Sequence, residues 1–368
     1  MKLGFSGDRV FFLIVAILVV GGIAMFASAS LGLLAREDGA PWRLAFTQLM
    51  LGLVPGILAL LIIRFSPSAL IQKAAVPLYM AALALTALVF TPLGETYNGA
   101  TRWINIGFTT IQPSEFLKIG VVLALAWWLS KAKGKIHEFS KGLIPFMVIV
   151  GVPVLLLLMQ PNTSTVIIIG LTSVALYILA GAPWRDILIL FLIAMVAFTA
   201  LVMTRPYLME RVKTFMNPEE NAQTSGYQIQ QSLIAIGSGG IAGRGFGQSV
   251  QKFSYLPEAQ GDSVFAVYAE EFGFIGAVLL VLLFAAFAAR GLAIAADASS
   301  LFGSLAATGL TLIISLSAFL NIGAMLGVLP LTGLPLPFVS HGGTALFAAL
   351  ASVGVILNVA AHRKRNAK

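Results

Sequence analysis

Apolar runs recur along this chain from residue 10 to residue 361, and most are long enough, at about 18 residues or more, to cross a hydrocarbon core of roughly 30 Å as a helix. Inside lipid the backbone finds no water to bond, so each crossing segment has to close its own hydrogen bonds, as a helix does. The pattern predicts an all-α, polytopic integral membrane protein of about ten transmembrane helices. They fall at 10–35, 44–63, 70–90, 114–129, 143–159, 163–180, 187–203, 263–289, 301–328 and 344–361. Composition agrees, with 58% of residues hydrophobic and 10% charged, the balance of a chain whose solvent is mostly lipid. Lys2 and Arg9 precede the first run as they would in a signal peptide, but the run is too long for one and the pattern then repeats. Pro55, Pro77, Pro145 and Pro153 lie inside or near the ends of spans and read as kinks, because neighbouring helices can satisfy the freed carbonyls.

Charge supplies the orientation. An even number of spans puts both termini on one side. With them go Lys2, Arg9, Arg64, Lys73, Lys131, Lys133, Lys135, Lys141, Arg185, Arg290, Arg363, Lys364, Arg365 and Lys368, which marks that side as cytoplasmic. Arg36, Arg43, Arg102 and most carboxylates fall on the other side. The net charge of +8 therefore reads as an orientation signal, and no basic soluble domain with interleaved aromatics points to nucleic acid. The absence of cysteine excludes disulfides, thiolate catalysis and cysteine-ligated metals. The histidines, at 137, 341 and 362, form no zinc-type cluster, so no metal site is expected from side chains alone. We read residues 1–368 as a single membrane domain without internal repeats.

One connection is far longer than the rest. Residues 205–262 join the seventh span to the eighth on the extracytoplasmic side, and long ordered loops are usually functional. Within it, 227–236 alternates apolar and polar residues at helical spacing, as a helix lying in the interface does. Glycines then crowd 237–247 around Arg244. The loop ends on Tyr255-Leu-Pro-Glu-Ala-Gln-Gly-Asp262, where Asp262 reads as an N-cap, as a catalytic carboxylate, or as both.

Other candidates carry the same duality. Glu270 and Glu271 lie about two turns inside the eighth span, where ionisable groups face a cavity, a pathway or a pairing cation. Glu115 and Lys118, in Gln-Pro-Ser-Glu-Phe-Leu-Lys, are spaced i and i+3 and can neutralise each other, either as an internal pair or lining a polar cavity. Arg102 and Trp103 read as a headgroup contact and an interfacial anchor, yet arginine also suits bidentate phosphate binding. Arg205, Arg211, Lys213, Arg244 and Lys252 offer the same choice between solvation and phosphate. Residues 333–344 contain two prolines and then two glycines, which preclude a regular helix and predict an ordered tight or re-entrant loop. His341 within it is placed to titrate near neutrality.

Taken together, these segments resemble the SEDS family of membrane proteins, whose elongation and division branches are RodA and FtsW. The resemblance is carried by Gln112-Pro-Ser-Glu-Phe-Leu-Lys118, Gly226-Tyr-Gln, Ile236-Gly-Ser-Gly-Gly240, Leu256-Pro-Glu with Asp262, Glu270-Glu271, and Thr332-Gly-Leu-Pro-Leu-Pro-Phe-Val-Ser340. It implies a peptidoglycan glycosyltransferase that joins lipid II into glycan strands on the outer face of the bacterial cytoplasmic membrane, beside a class B penicillin-binding protein transpeptidase. It also implies that Asp262 is essential and that Glu115 and Lys118 lie near a central cavity. Arg102, Arg211, Lys213, Arg244, Glu258, Glu271 and Ser340 join them as substrate-binding or cavity candidates. Phe215-Met-Asn-Pro and Thr332-Gly-Leu-Pro-Leu-Pro-Phe look like the elongation branch, and the resemblance is read as a role in cell elongation; 247–259 looks closer to the division branch, which stays the alternative. Two departures stand out: Gln160-Pro-Asn-Thr-Ser-Thr165 carries an amide where the family has a carboxylate, and Ser340-His-Gly-Gly-Thr344 replaces Ser-Tyr-Gly-Gly-Ser.

An α-linked pyrophosphate donor and a β-linked product require one inversion, hence one base and stabilisation of the leaving group. Asp262 is the expected base. Arg102, Arg211, Lys213 or Arg244, or a divalent cation (Mg or Mn), would meet the charge growing on the pyrophosphate. The competing readings are a lipid II flippase, which the Glu115–Lys118 pair suits, and a noncatalytic scaffold, which leaves the outer carboxylates without a task.

Overall fold

The computed structural model describes residues 8–34, 45–97, 99–107, 109–132, 134–217, 225–253 and 255–363. Lys2, Ala35, Arg36, Arg43, Leu44, Asn98, Lys133, Pro218, Ser254, Lys364, Arg365 and Lys368, used above, lie outside the described residues. The helices are α1 (Arg9–Leu34), α2 (Ala45–Phe65), α3 (Ser68–Ala87), α4 (Pro113–Lys131), α5 (Leu143–Met159) and α6 (Thr163–Leu179). They continue with α7 (Trp184–Thr204), α8 (Pro206–Met216), α9 (Ser225–Ser238), α10 (Val264–Ala296), α11 (Leu301–Met325) and α12 (Gly343–Ala361). Eight are apolar and at least 18 residues long, and α5 and α6, at 17 residues each, reach about 25 Å, nearly a full crossing. The chain is thus a polytopic all-α membrane protein. Helices α4, α11 and α12 form its buried centre. Pro77 and Pro153 sit inside α3 and α5 without ending them, and α2 opens through a π-helical turn, Gln48–Leu53, ahead of Pro55.

One departure from all-helix lies between α3 and α4. Strands β1 (Gly94–Tyr97), β2 (Ala100–Asn105) and β3 (Thr110–Ile111) pair antiparallel in that order. Thr101, Trp103 and Ile104 are strand formers, and Thr96 and Thr101 face each other with their hydroxyls 2.7 Å apart. Arg102 and Trp103 therefore ride on a strand, and both are partly buried.

The eighth span also differs from the sequence reading. Its helix runs on to Ala296 but breaks at Gly273, whose φ of 67° and ψ of −165° lie outside the helical region. The glycine-rich strap presses into the break: the amides of Arg244 and Gly245 donate to the carbonyls of Glu270 and Glu271, and those of Phe274 and Ile275 donate to Gly240 and Ile241. A Cβ on Gly273 would meet the Gly243 nitrogen at 2.3 Å, so both the positive φ and the close approach demand glycine. Irregular backbone of this kind survives at membrane depth because protein, not lipid, satisfies it. Helix α9, read as an interfacial helix, packs on α10 and α11, with Ile229, Ser232 and Ala235 buried and Ser232 Oγ 3.5 Å from Met325 Sδ.

Candidate functional site

Helix α10 begins at Val264 with Ser263 as its N-cap, so Asp262 stands one residue earlier and does not cap it. What holds Asp262 is tertiary. Its Oδ1 accepts from Gln228 Nε2 of α9 at 3.0 Å and from Ser263 Oγ at 3.4 Å. Its backbone carbonyl accepts from Asn321 Nδ2 of α11 at 2.7 Å, and the same amide donates to the Leu334 carbonyl at 2.7 Å. Ser340 Oγ donates to the Gly261 carbonyl at 2.6 Å and accepts from the Leu336 amide at 2.7 Å, while the His341 amide donates to the Gln260 carbonyl at 2.7 Å. Residues 333–342 thus form the ordered, non-helical loop expected from their prolines and glycines, and they clamp the aspartate loop from below.

The Arg211 guanidinium approaches this carboxylate. Gly333, at φ 63°, leaves a gap in which a Cβ would lie 3.9 Å from both Arg211 Nη2 and Asp262 Oδ2. Arg102 lies within electrostatic reach of Arg211, and its Nε donates to the Gln160 carbonyl at 3.3 Å and its Nη2 to that of Pro161. Among the described residues, no ion pair joins either arginine to a carboxylate. Burial, and the nearby charge of Glu258, push the Asp262 pKa up to about 6, against the pull of its hydrogen bonds from Gln228 and Ser263. Burial lowers the pKa of Arg102 and of Arg211, Arg102 being lowered also by the Arg211 charge, yet guanidinium stays cationic. The result is a partly buried carboxylate beside the Arg211 guanidinium, with Arg102 behind it.

Residues 8–365 match the FTSW_RODA_SPOVE family, described as "Cell cycle protein". This chain belongs to that family. It is 41% identical over 281 residues to "Stage V sporulation protein E" of Bacillus subtilis, covering 76% of this chain and 77% of that protein. It is 37% identical over 343 residues to "Probable peptidoglycan glycosyltransferase FtsW" of Coxiella burnetii, covering 92% of each. Among solved structures, Rod shape determining protein RodA of Thermus thermophilus superposes with a TM-score of 0.70 at 28% identity over 99% of both chains. A chain from a peptidoglycan synthase complex that coordinates polymerization and crosslinking superposes with a TM-score of 0.79 at 30% identity, over 98% of this chain and 99% of that one.

Against this family background, several sequence candidates find other tasks. Lys213, two residues beyond Arg211 on α8, points to the opposite side of the helix and is exposed. Arg244 is also exposed and pairs with Glu270 at 3.5 Å beside the broken helix. Glu271 does not line an open cavity: it is buried against Lys252 at 2.8 Å and the Ser28 hydroxyl at 2.6 Å. Of the cations left open between solvation and phosphate, Lys252 is buried with it and Arg205 is exposed. Glu270 accepts from Ser249 Oγ and from the amides of Val250 and Gln251. The glutamate pair therefore ties down the chain that leads into the aspartate loop. Glu258, at φ 49°, shapes the turn through its carbonyl, which accepts from the amides of Gly261 and Ser263. Ser340 positions backbone. His341, stacked on Phe26 at a 5.6 Å centroid distance, is held neutral because burial lowers its pKa, which removes it as a group titrating near neutrality.

Glu115 and Lys118 pair at 2.9 Å, both buried, and line a small cleft with Ser317, Leu334 and Pro335. The two form an internal ion pair at the edge of a cleft whose other walls, Ile119, Ile313, Ile314 and Pro337 among them, are mostly apolar. The 333–337 segment floors the aspartate site at Gly333 and walls this cleft at Leu334 and Pro335, so one loop joins the two. Sequence reasoning missed Gln228 and Asn321 as holders of the aspartate. Asn321 carried a signal, since an amide inside an otherwise apolar span needs buried partners.

Proposed function

We propose that this chain polymerises lipid II into glycan strands, with Asp262 as the general base and Arg211 and Arg102 facing the pyrophosphate. The class, a peptidoglycan glycosyltransferase, follows from its place in the FtsW/RodA/SpoVE family. The reading rests above all on one observation: a carboxylate with a raised pKa stands across a Cβ-sized gap from an unpaired guanidinium. In the displacement, Asp262 takes the proton of the acceptor 4-hydroxyl as its oxygen bonds to the anomeric carbon. The bond from that carbon to the pyrophosphate breaks on the opposite side, and the leaving group departs with the electron pair. A pKa near 6 keeps the carboxylate ionised at neutral pH while leaving it basic enough to accept the proton. The guanidinium groups offer the phosphate oxygens a charge-assisted, bidentate fit.

Orientation follows from charge. Arg64, Lys73, Lys131, Lys135, Lys141, Arg185, Arg290 and Arg363 occupy helix ends and short loops on the side away from the aspartate loop, which supports a cytoplasmic placement for both termini and an outer placement for the site. A class B penicillin-binding protein is the expected partner, supported by the likeness to the synthase-complex chain. The elongation role suggested by 215–218 competes with a division or sporulation role, which the relatives named FtsW and SpoVE favour. Complementation of strains depleted of each branch separates the two.

Purified Asp262→Asn in detergent tests the chemistry. It is expected to fold and to make no glycan from lipid II, a loss of at least about a hundredfold, and retained polymerisation would overturn the assignment. The same assay addresses the flippase reading, which the Glu115–Lys118 cleft favours, because flipping has no meaning without a bilayer.

A further inference from the structure

The two oxygens of Asp262 are not equivalent. Oδ1 receives both side-chain donors, Gln228 Nε2 at 3.0 Å and Ser263 Oγ at 3.4 Å, and Gln228 Nε2 also lies 2.9 Å from Ser263 Oγ. Oδ2 receives no side-chain donor among the described residues and faces the gap left by Gly333, across which stands Arg211. An ionised carboxylate can only accept hydrogen bonds, so the NH2 end of the Gln228 amide has to be the end that faces it. A proton arriving on Oδ2 leaves that contact intact, because Oδ1 then becomes the carbonyl oxygen and still accepts from Gln228. A proton arriving on Oδ1 would put hydrogen against hydrogen and break it.

Resting on the assignment of Asp262 as base, we propose that Gln228 is a positioning residue that reserves Oδ2 as the proton-accepting atom, and that the acceptor hydroxyl enters the gap over Gly333 between Oδ2 and Arg211. The acceptor O–H bond breaks toward Oδ2, the new bond forms between that oxygen and the anomeric carbon, and the pyrophosphate leaves with the electron pair of the bond it loses. Gln228 contributes no atom to the reaction. It holds the carboxylate plane so that the free oxygen, and not its partner, meets the hydroxyl. The charged and titratable groups that bear on the carboxylate from neighbouring elements are Glu258 of its own loop and Arg211 of α8, with Tyr207 and Arg102 acting on Arg211.

The test is the pH dependence of lipid II polymerisation by purified full-length protein, wild type against Gln228→Leu and Gln228→Glu. The wild type should lose rate as pH falls through about 6. Gln228→Leu keeps the bulk of the side chain but removes a donor to the charged form, so its acidic limb should move up by roughly one pH unit, with kcat lowered more than KM. Gln228→Glu places a second negative charge there and should move the limb further the same way, which keeps the proposal open to refutation should the leucine variant fail to fold. A limb that stays in place, or moves down, in the variants that fold overturns the role of Gln228. A wild-type rate that is flat through this range overturns the assignment of Asp262 itself, so the two failures are distinguishable. Gly333→Ala supplies an independent check on the gap. Its methyl would sit at ordinary contact distance from Arg211 and Asp262, on a left-handed backbone (φ 63°) that strains any side chain, so a rate unchanged from wild type in a folded variant would overturn the placement of the hydroxyl there.

Discussion

Lys252→Met is expected to cost the fold about 3–5 kcal/mol, the range for removing one partner of a buried ion pair. Lys252 Nζ lies 2.8 Å from Glu271 Oε1, 2.8 Å from the Gly247 carbonyl and 3.0 Å from Ser28 Oγ, and both charged side chains are 0% exposed. Without the ammonium, Glu271 keeps only the Ser28 hydroxyl and the Ser249 amide, on an oxygen whose sister Oε2 already has no partner. That leaves a carboxylate charge buried beside the broken helix with little to compensate it. The double variant Lys252→Met/Glu271→Gln removes both charges and should recover most of the loss, because a neutral, well-filled replacement of a buried pair is often no less stable than the pair. Chemical unfolding in mixed micelles measures the cycle, with the polymerisation rate followed alongside. The reasoning fails if the single variant lies within about 1 kcal/mol of wild type, the value of an exposed pair. It fails equally if the double variant is no better than the single.

Arg211→Met should lower turnover on lipid II by tenfold or more, the effect of about 1.4 kcal/mol of lost leaving-group stabilisation, whereas Lys213→Ala on the same helix should leave the rate within a factor of two. Asn321→Leu strips the donor from the carbonyls of Asp262 and Leu334, at about 1–3 kcal/mol for each buried acceptor, and should reduce both the thermal midpoint and polymerisation although Asp262 is untouched. Asp262 also links stability to pH. Its folded pKa near 6 exceeds the ordinary 3.8, so the native state binds the proton more readily than the unfolded chain, and the stabilisation from protonation grows as pH falls from above 6 to below 3.8. Asp262→Asn should therefore be more stable than wild type at neutral pH, with the thermal midpoints converging in acid.

The membrane class and the approximate spans were legible because a helix of given length in a medium of given thickness leaves a long apolar run in the sequence whatever it packs against. The β-sheet between α3 and α4 was less legible, since Thr101, Trp103 and Ile104 suit a strand or an interfacial anchor equally well, and only pairing with 94–97 decides. The break at Gly273 was hidden for a related reason. One glycine inside an apolar run is ordinary, and what makes this one a break is the strap at 240–245, more than twenty residues earlier in the chain, hydrogen-bonding across it.

At the site, the residue types were visible and their partners were not. Asp262 could be singled out by its position at the mouth of a span, but its rank above Glu270 and Glu271 depends on burial and pairing. Those two are consumed by Ser249, Lys252 and Arg244, while one oxygen of Asp262 is left facing a gap. The same holds for the cations: Arg102, Arg211, Lys213 and Arg244 are equal candidates on paper, and their separation into Arg211 near the carboxylate, Arg102 near Arg211 and two elsewhere comes from a β-strand, a helix face and a broken helix. Along the chain, then, the sequence by itself determined the medium, the approximate spans, the location of the polar chemistry and the family, because each of these is written in local composition and short motifs. Which oxygen is free and which cation is unpaired was decided only when α8, α9, α11 and the 333–342 loop were brought around the start of α10. Electrostatic and hydrogen-bonding roles depend on distances of a few ångströms between residues that may stand a hundred positions apart.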